Sequence, residues 1–211
     1  MIKAVLFDMD GVLIDAKDWH YEALNKALDI FGMAIDRDTH LASYDGLPTR
    51  TKLNILTKSR GCPVKLHGFL NQLKQMYTME LAYARCRPVF QHRKAVNRLK
   101  DEGYKLAVCS NSIRQTIVLM MELAQLKENM DLLVSNEDVS RPKPDPEMYQ
   151  KAIRYFNIDP TEALILEDND NGVQAARASG AHVLVVGTPD DVTYERIRTA
   201  IDAASISADQ R

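Results

Sequence analysis

The sequence predicts an α/β protein: a doubly wound, mostly parallel, five-stranded sheet carrying an inserted helical domain. Three observations predict it. Short apolar runs rich in Val, Leu and Ile recur at residues 2–7, 105–109, 132–135, 163–166 and 182–186. They lack polar alternation, as strands covered on both faces do. Stretches of helical periodicity separate them, which is the pattern of a sheet wound with crossover helices. One interval, residues 8–104, is far longer than a single crossover needs.

The first run ends in Asp8-Met9-Asp10-Gly11. Two carboxylates this close at a strand end are costly: like charges about 4 Å apart repel by roughly 4 kcal/mol at an effective dielectric near 20. A divalent cation is the simplest offset, although Asp-x-Asp-Gly alone also occurs in turns and calcium loops.

The long interval reads as helical from about residue 16 to 84. Ala23, Leu24, Ala27, Leu28 and Phe31 follow a 3.6-residue period, as do Leu53 with Leu56, and Leu66, Phe69, Leu70, Leu73 and Met76. Pro48, Gly61, Pro63 and Gly68 punctuate it. The expected division is a core of residues 1–15 and 86–211 with a helical insertion at 16–85, crossed near 15–17 and 85–88.

Beyond the insertion, Val96, Leu99 and Lys100 belong to a predicted helix stopped by Gly103. Residues 113–126 carry Ile117, Met120, Met121 and Ala124 on one face. Asp145-Pro146 has the form of a helix start, a capping Asp before Pro at the first helical position. Val173, Ala176 and Ala178 lie on a helix closing at Gly180, and the small polar tail after Ala204 is expected to fray.

Composition narrows the class. The chain has 211 residues, enough for one large domain or a domain with an insertion. A net charge of −2 gives no basic field for nucleic acid or an anionic membrane. No apolar stretch approaches the roughly 20 residues of a membrane span. Cys62, Cys86 and Cys109 have neither disulfide-framework nor metal-site spacing, so a reducing cytoplasm is expected.

The remaining run ends carry chemistry. The second closes in Cys109-Ser110-Asn111-Ser112 before a helix, which reads either as an anion site or as ordinary N-capping. The fourth closes in Glu167-Asp168-Asn169-Asp170-Asn171-Gly172. Those acids suit Mg2+, which prefers oxygen ligands in octahedral geometry; otherwise they form an Asx-rich helix cap. Between these two ends stands Arg141-Pro142-Lys143-Pro144-Asp145-Pro146. Residues preceding proline are pushed to extended conformations, so Lys143 stands on a stiff stalk, although an arbitrary loop lysine is usually just solvated.

Taken together, Asp8-Met9-Asp10-Gly11-Val12, Ser110-Asn111, Lys143 within Lys-Pro-Asp-Pro, and Glu167-Asp168 followed by Gly172 resemble the four motifs of the haloacid dehalogenase (HAD) superfamily. The order and spacing cover essentially the whole chain, and the resemblance is specifically to its phosphatase and β-phosphoglucomutase-like branch. The resemblance implies a Rossmann-like core with a small helical cap. It implies Asp8 as the nucleophile forming an aspartyl-phosphate, and Asp10 as general acid and base. It implies Mg2+ held by Asp8, the Asp10 carbonyl, Asp168 and Glu167, with Ser110, Asn111 and Lys143 binding the phosphoryl group. In the cap it implies substrate contacts from His20, Thr49 and Arg50. The arginine stands four residues after Gly46, where mutase-like relatives have it at three.

Three functional readings follow. The first is a Mg2+-dependent phosphohydrolase acting on a small phosphorylated metabolite, such as a sugar phosphate. The second is a β-phosphoglucomutase-like phosphomutase using the same core. The third is a phospho-acceptor module without turnover, disfavoured by the early position of the acceptor Asp and by the helical insertion. The expected partner is a small phosphorylated substrate, not nucleic acid or membrane; monomer and homodimer are both compatible with the sequence.

Overall fold

The computed structural model describes residues 1–209, with side chains described through Ser205. The chain forms two compact units, Ala16–Cys86 and Met1–Asp15 together with the chain from Arg87 onward.

The smaller unit is helical: α1 (Lys17–Asp29), α2 (Arg37–Ser43), α3 (Thr49–Arg60) and α4 (His67–Arg85). Its core joins Leu24, Ala27 and Leu28 of α1 to Ile35, Tyr44, Leu53, Leu56, Cys62 and Leu70. These are mostly the positions the 3.6-residue period selects, because one stripe per helix must leave water. The Asp36 carboxylate caps α2 by accepting the Thr39 amide at 2.8 Å. Gly61 ends α3 in the left-handed region, with φ 71°, which glycine adopts without a Cβ clash. Four polar side chains, His40, Lys52, Lys74 and Thr78, are also buried here.

The larger unit is the sheet: β1 (Ala4–Phe7), β2 (Lys105–Cys109), β3 (Leu132–Val134), β4 (Ala163–Glu167) and β5 (His182–Val185). All pairs are parallel and the order is β3-β2-β1-β4-β5. Central β1 pairs Phe7 with Val108 on one side and with Leu166 on the other. The Asp8 amide extends the ladder, donating to the Leu166 carbonyl at 3.0 Å. Strand order therefore reverses at β1, and the ends of β1, β2 and β4 meet at one edge, where such sheets bind ligands. Burial on both faces holds for the inner strands. It does not hold for the two edge strands: Leu132 and Leu133 of β3 are half-buried, as are His182, Val183 and Leu184 of β5, whose Val185 is 45% exposed.

Helices α5 (Phe90–Asp101), α6 (Arg114–Leu123), α7 (Glu147–Phe156), α8 (Asp170–Ala178) and α9 (Tyr194–Asp209) complete this unit. One sequence expectation shifts by a residue: α7 begins at Glu147, with Pro146 at its N-cap, and Asp145 accepts the Glu147 amide at 3.0 Å. The segment expected to fray is helical to Asp209, and residues 210 and 211 lie outside the described residues. Among the described residues, no helix is long and apolar enough to cross a membrane.

Candidate active site

Asp8 follows β1 directly and is buried. The chain then doubles back: Gly11 adopts φ 91°, its amide donates to the Ile14 carbonyl at 2.7 Å, and the Leu13 and Ile14 amides both donate to the Met9 carbonyl. That tight turn holds Asp8 and Asp10 at the sheet edge.

Lys143 is only 4% exposed, so the stalk between prolines carries its ammonium inward. All three of its N–H groups have acceptors: Asp8 Oδ1 at 2.6 Å, Glu167 Oε1 at 2.6 Å and the Cys109 carbonyl at 2.8 Å. The loop is clamped by Asn111, whose Oδ1 accepts the Lys143 amide at 3.0 Å and whose Nδ2 donates to the Lys143 carbonyl at 3.3 Å. Asn136 in turn donates to the Asn111 carbonyl at 2.9 Å.

Neither Ser110 nor Asn111 caps α6. The Arg114 amide goes to the Glu137 carboxylate at 2.8 Å, and the N-cap position is Ile113. Instead, Ser110 Oγ accepts the Ser112 amide at 3.1 Å, and Ser112 Oγ donates to Asp10 Oδ2 at 3.1 Å. The N-capping reading of this segment is thus corrected: its hydroxyls and amides belong to the sheet edge. Asn169 does cap α8, accepting the Gly172 amide at 3.0 Å.

Glu167 closes β4 and is fully buried. Besides Lys143, its Oε1 accepts the Tyr149 hydroxyl, and its Oε2 accepts the Asp168 amide at 3.2 Å. Carboxylate oxygens of Asp8, Glu167 and Asp168 can lie within 4.8 Å of one another. Four carboxylates, counting Asp10, are set against one ammonium. Burial first, and then Glu167, Asp10 and Asp168, push the Asp8 carboxyl well above the usual carboxylate range, and Lys143 offsets this only in part. Burial works against the Lys143 charge, but Asp8 and Glu167 outweigh it and hold the ammonium above its ordinary value. Burial also pushes the neighbouring Cys109 thiol up to about 12, so it stays neutral. A cluster of hard oxygen donors with surplus negative charge fits a cation such as Mg2+.

The structure brings Asp8, Asp10, Ser110, Asn111, Lys143, Glu167 and Asp168 together at this edge. His20, Thr49 and Arg50 belong to the helical unit. His20 Nδ1 lies 3.3 Å from Lys74 Nζ, and Thr49 and the exposed Arg50 open α3. Sequence reasoning missed Tyr149 and Ser112. Tyr149 shares its buried helix face with Met148, Ala152 and Ile153, so periodicity marks it only as core.

A match to the haloacid dehalogenase-like hydrolase family spans residues 5–186. The chain is 29% identical over 182 residues to the phosphorylated carbohydrates phosphatase of Thermotoga maritima, covering 85% of this chain and 82% of that protein. It is 30% identical over 189 residues to the phosphoglycolate phosphatase of Nitrosospira multiformis, covering 88% and 83%. In fold it resembles a crystal structure of β-phosphoglucomutase from Clostridium difficile, with a TM-score of 0.82 at 19% identity, covering 98% and 100%.

Proposed function

Since this chain belongs to the haloacid dehalogenase-like hydrolase family, we propose that it is a Mg2+-dependent phosphohydrolase. Its substrate would be a small phosphorylated metabolite, and its path would run through an aspartyl-phosphate on Asp8. The observation that carries this reading is the Lys143 ammonium, buried and bonded at once to Asp8 and to Glu167, whose carboxylates cluster with that of Asp168. A buried nucleophile so surrounded by acids repels an anionic substrate unless cations offset it. The names of the two phosphatase relatives support a phosphorylated carbohydrate or a phosphorylated small acid as substrate.

Asp8, Asp168, Glu167 and the Asp10 carbonyl would hold the ion. Bound there, Mg2+ would offset the charge of the carboxylates and of the incoming phosphoryl oxygens. Lys143, bonded to Asp8 and Glu167, adds its own positive charge to the site. Ser110 and the Asn111 amide orient phosphoryl oxygens. The Asp8 carboxylate attacks phosphorus as Asp10 gives its proton to the leaving oxygen. Asp10 then takes a proton from water, whose oxygen attacks phosphorus and frees Asp8. Such transfers depend on positioning and charge stabilisation more than on covalent help. His20, Thr49 and Arg50 are assigned to substrate choice on the sequence resemblance.

Phosphate release from a panel of phosphorylated metabolites, with Mg2+ and with chelator, tests this reading. Mg2+-dependent release is expected, and Asp8→Asn should abolish it while circular dichroism stays unchanged. Full activity in that variant would sink the mechanism. A phosphomutase sharing this core would instead return label to the substrate, and a stable phosphoprotein without turnover would mark an acceptor module.

A further inference from the structure

We propose that Tyr149 is a positioning residue that leaves Glu167 one free lone pair, so that Glu167 binds the cation through Oε2 alone and the site prefers Mg2+ to Ca2+. This rests on the cation reading above. It concerns which oxygen is available, and what makes it so.

An ionised carboxylate offers about four lone-pair sites, two per oxygen, and donates nothing. Glu167 Oε1 accepts Lys143 Nζ at 2.6 Å and the Tyr149 hydroxyl. Oε2 accepts the Asp168 amide at 3.2 Å. Three sites are used, and the fourth lies on Oε2. A cation can therefore be bound by one oxygen, not by both.

Tyr149 is placed for this task from two directions. Its ring centroid lies 4.8 Å from Lys143 Nζ, within cation–π range, while its hydroxyl reaches the carboxylate that Lys143 also holds. One side chain thus touches both members of the buried ion pair. A phenol serves as the second donor because it stays protonated: burial, then the charges of Glu167 and Asp8, push it well above its ordinary range.

Gly172 restrains the carboxylate from the other side. A Cβ added there would lie 2.1 Å from the Glu167 carboxyl carbon and from both of its oxygens. Gly172 sits in the first turn of α8 and its φ is not positive, so the missing side chain is not needed for backbone geometry. Helical glycine costs up to about 1 kcal/mol relative to alanine in a helix interior. Room for the carboxylate is what the position provides. Hydroxyl and bare backbone together fix the rotation of one carboxylate.

The consequence for ion choice follows from coordination chemistry. Mg2+ demands near-octahedral geometry with compact ligands. Ca2+ takes more oxygens at longer distances and accepts bidentate carboxylates readily. Keeping Oε1 occupied denies Glu167 the bidentate mode and so removes one of the extra oxygens that Ca2+ would take. Without the hydroxyl, the carboxylate can turn and offer both oxygens.

The test is calorimetric titration of Mg2+ and of Ca2+ into the metal-free full chain, for wild type, Tyr149→Phe and Gly172→Ala. Tyr149→Phe keeps the ring and removes one hydroxyl. Mg2+ affinity should fall about tenfold, at the lower end for losing a group that orients a ligand. Ca2+ affinity should fall less or rise, narrowing the ratio of the two. Gly172→Ala is independent of the phenol and favourable to the helix; it should weaken Mg2+ at least as much with helicity retained. Wild-type affinities in Tyr149→Phe, or in a folded Gly172→Ala, would overturn the proposal. So would equal weakening of both ions in Tyr149→Phe, since that denies any role in ion choice. A wild-type chain that binds no Mg2+ would overturn the cation reading as well, whereas failure in the variants alone leaves that reading standing.

Discussion

Lys143 shows how far a single residue can be read from its neighbours. The flanking prolines announce a stiff stalk but not its direction, and a loop lysine is ordinarily solvated. Its direction is set by partners far away in sequence: Asp8, Glu167 and the Asn111 amide that clamps its backbone. The acids, by contrast, were legible, because each follows an apolar run directly and the runs are strands. Tyr149 was legible only as core, since nothing local names the target of its hydroxyl. Lys143→Met should expose the balance at this site. It leaves the Asp8 and Glu167 carboxylates buried without their ammonium, and breaking one side of such a pair costs about 3–5 kcal/mol. Denaturant unfolding in chelator should show a loss of that order, and added Mg2+ should recover part of it. Equal stability of variant and wild type in chelator would mean that the carboxylates are neutral or hydrated.

At the scale of elements, strand positions were read within two residues at each end, because covered parallel strands are continuous apolar runs. Helix starts were less exact. Asp145-Pro146 carries the right residues for a cap, yet the α7 helix begins one residue later, since Asp145 accepts the Glu147 amide from outside the helix. Helix α2 carries a feature that no periodicity predicts. His40 is buried between Tyr21, at 4.8 Å, and Tyr44, at 6.3 Å between ring centroids. Burial first, then Lys52, Arg37 and His20, lower it from 6.5 to about 4, against the opposing pull of Asp45. Between those two values the unfolded chain binds the proton that the folded chain refuses. Stability contributed by neutral His40 is therefore full above pH 6.5 and is lost as pH falls toward 4. Depressed carboxylates such as Asp138, at about 2, lose their contribution at lower pH. His40→Phe keeps a ring between the tyrosines and removes the titration. Thermal midpoints of the variant should change less between pH 6.5 and 4 than those of wild type; parallel curves would show that His40 protonates without cost.

Across the whole molecule, sheet order turns scattered residues into a site. Motifs more than a hundred residues apart in sequence meet because β1 lies between β2 and β4, with its parallel register bringing all three ends to one edge. Alternation of strands and helices predicted such a sheet, while the neighbours of each strand had to come from the structure. The same topology concentrates four carboxylates against one lysine, so a cation bound there should stabilise the sheet unit. An ion that binds the folded chain alone stabilises it by RT ln(1 + [L]/Kd), about 2.7 kcal/mol at one hundred times Kd. For a chain of this size each kcal/mol moves the midpoint by roughly 2–4 °C, so saturating Mg2+ should raise it by about 5–11 °C over chelator. The shift belongs to the unfolding of the sheet unit, because the acidic cluster lies wholly within it. Asp168→Ala removes a carboxylate from the cluster and should shrink the shift, whereas Arg50→Ala, in the helical unit, should leave it intact. Scanning calorimetry of the three proteins, with and without Mg2+, separates the effects. Absence of a Mg2+-dependent shift in wild type would mean that Lys143 alone balances the acids, and that the folded chain needs no metal to hold this edge together.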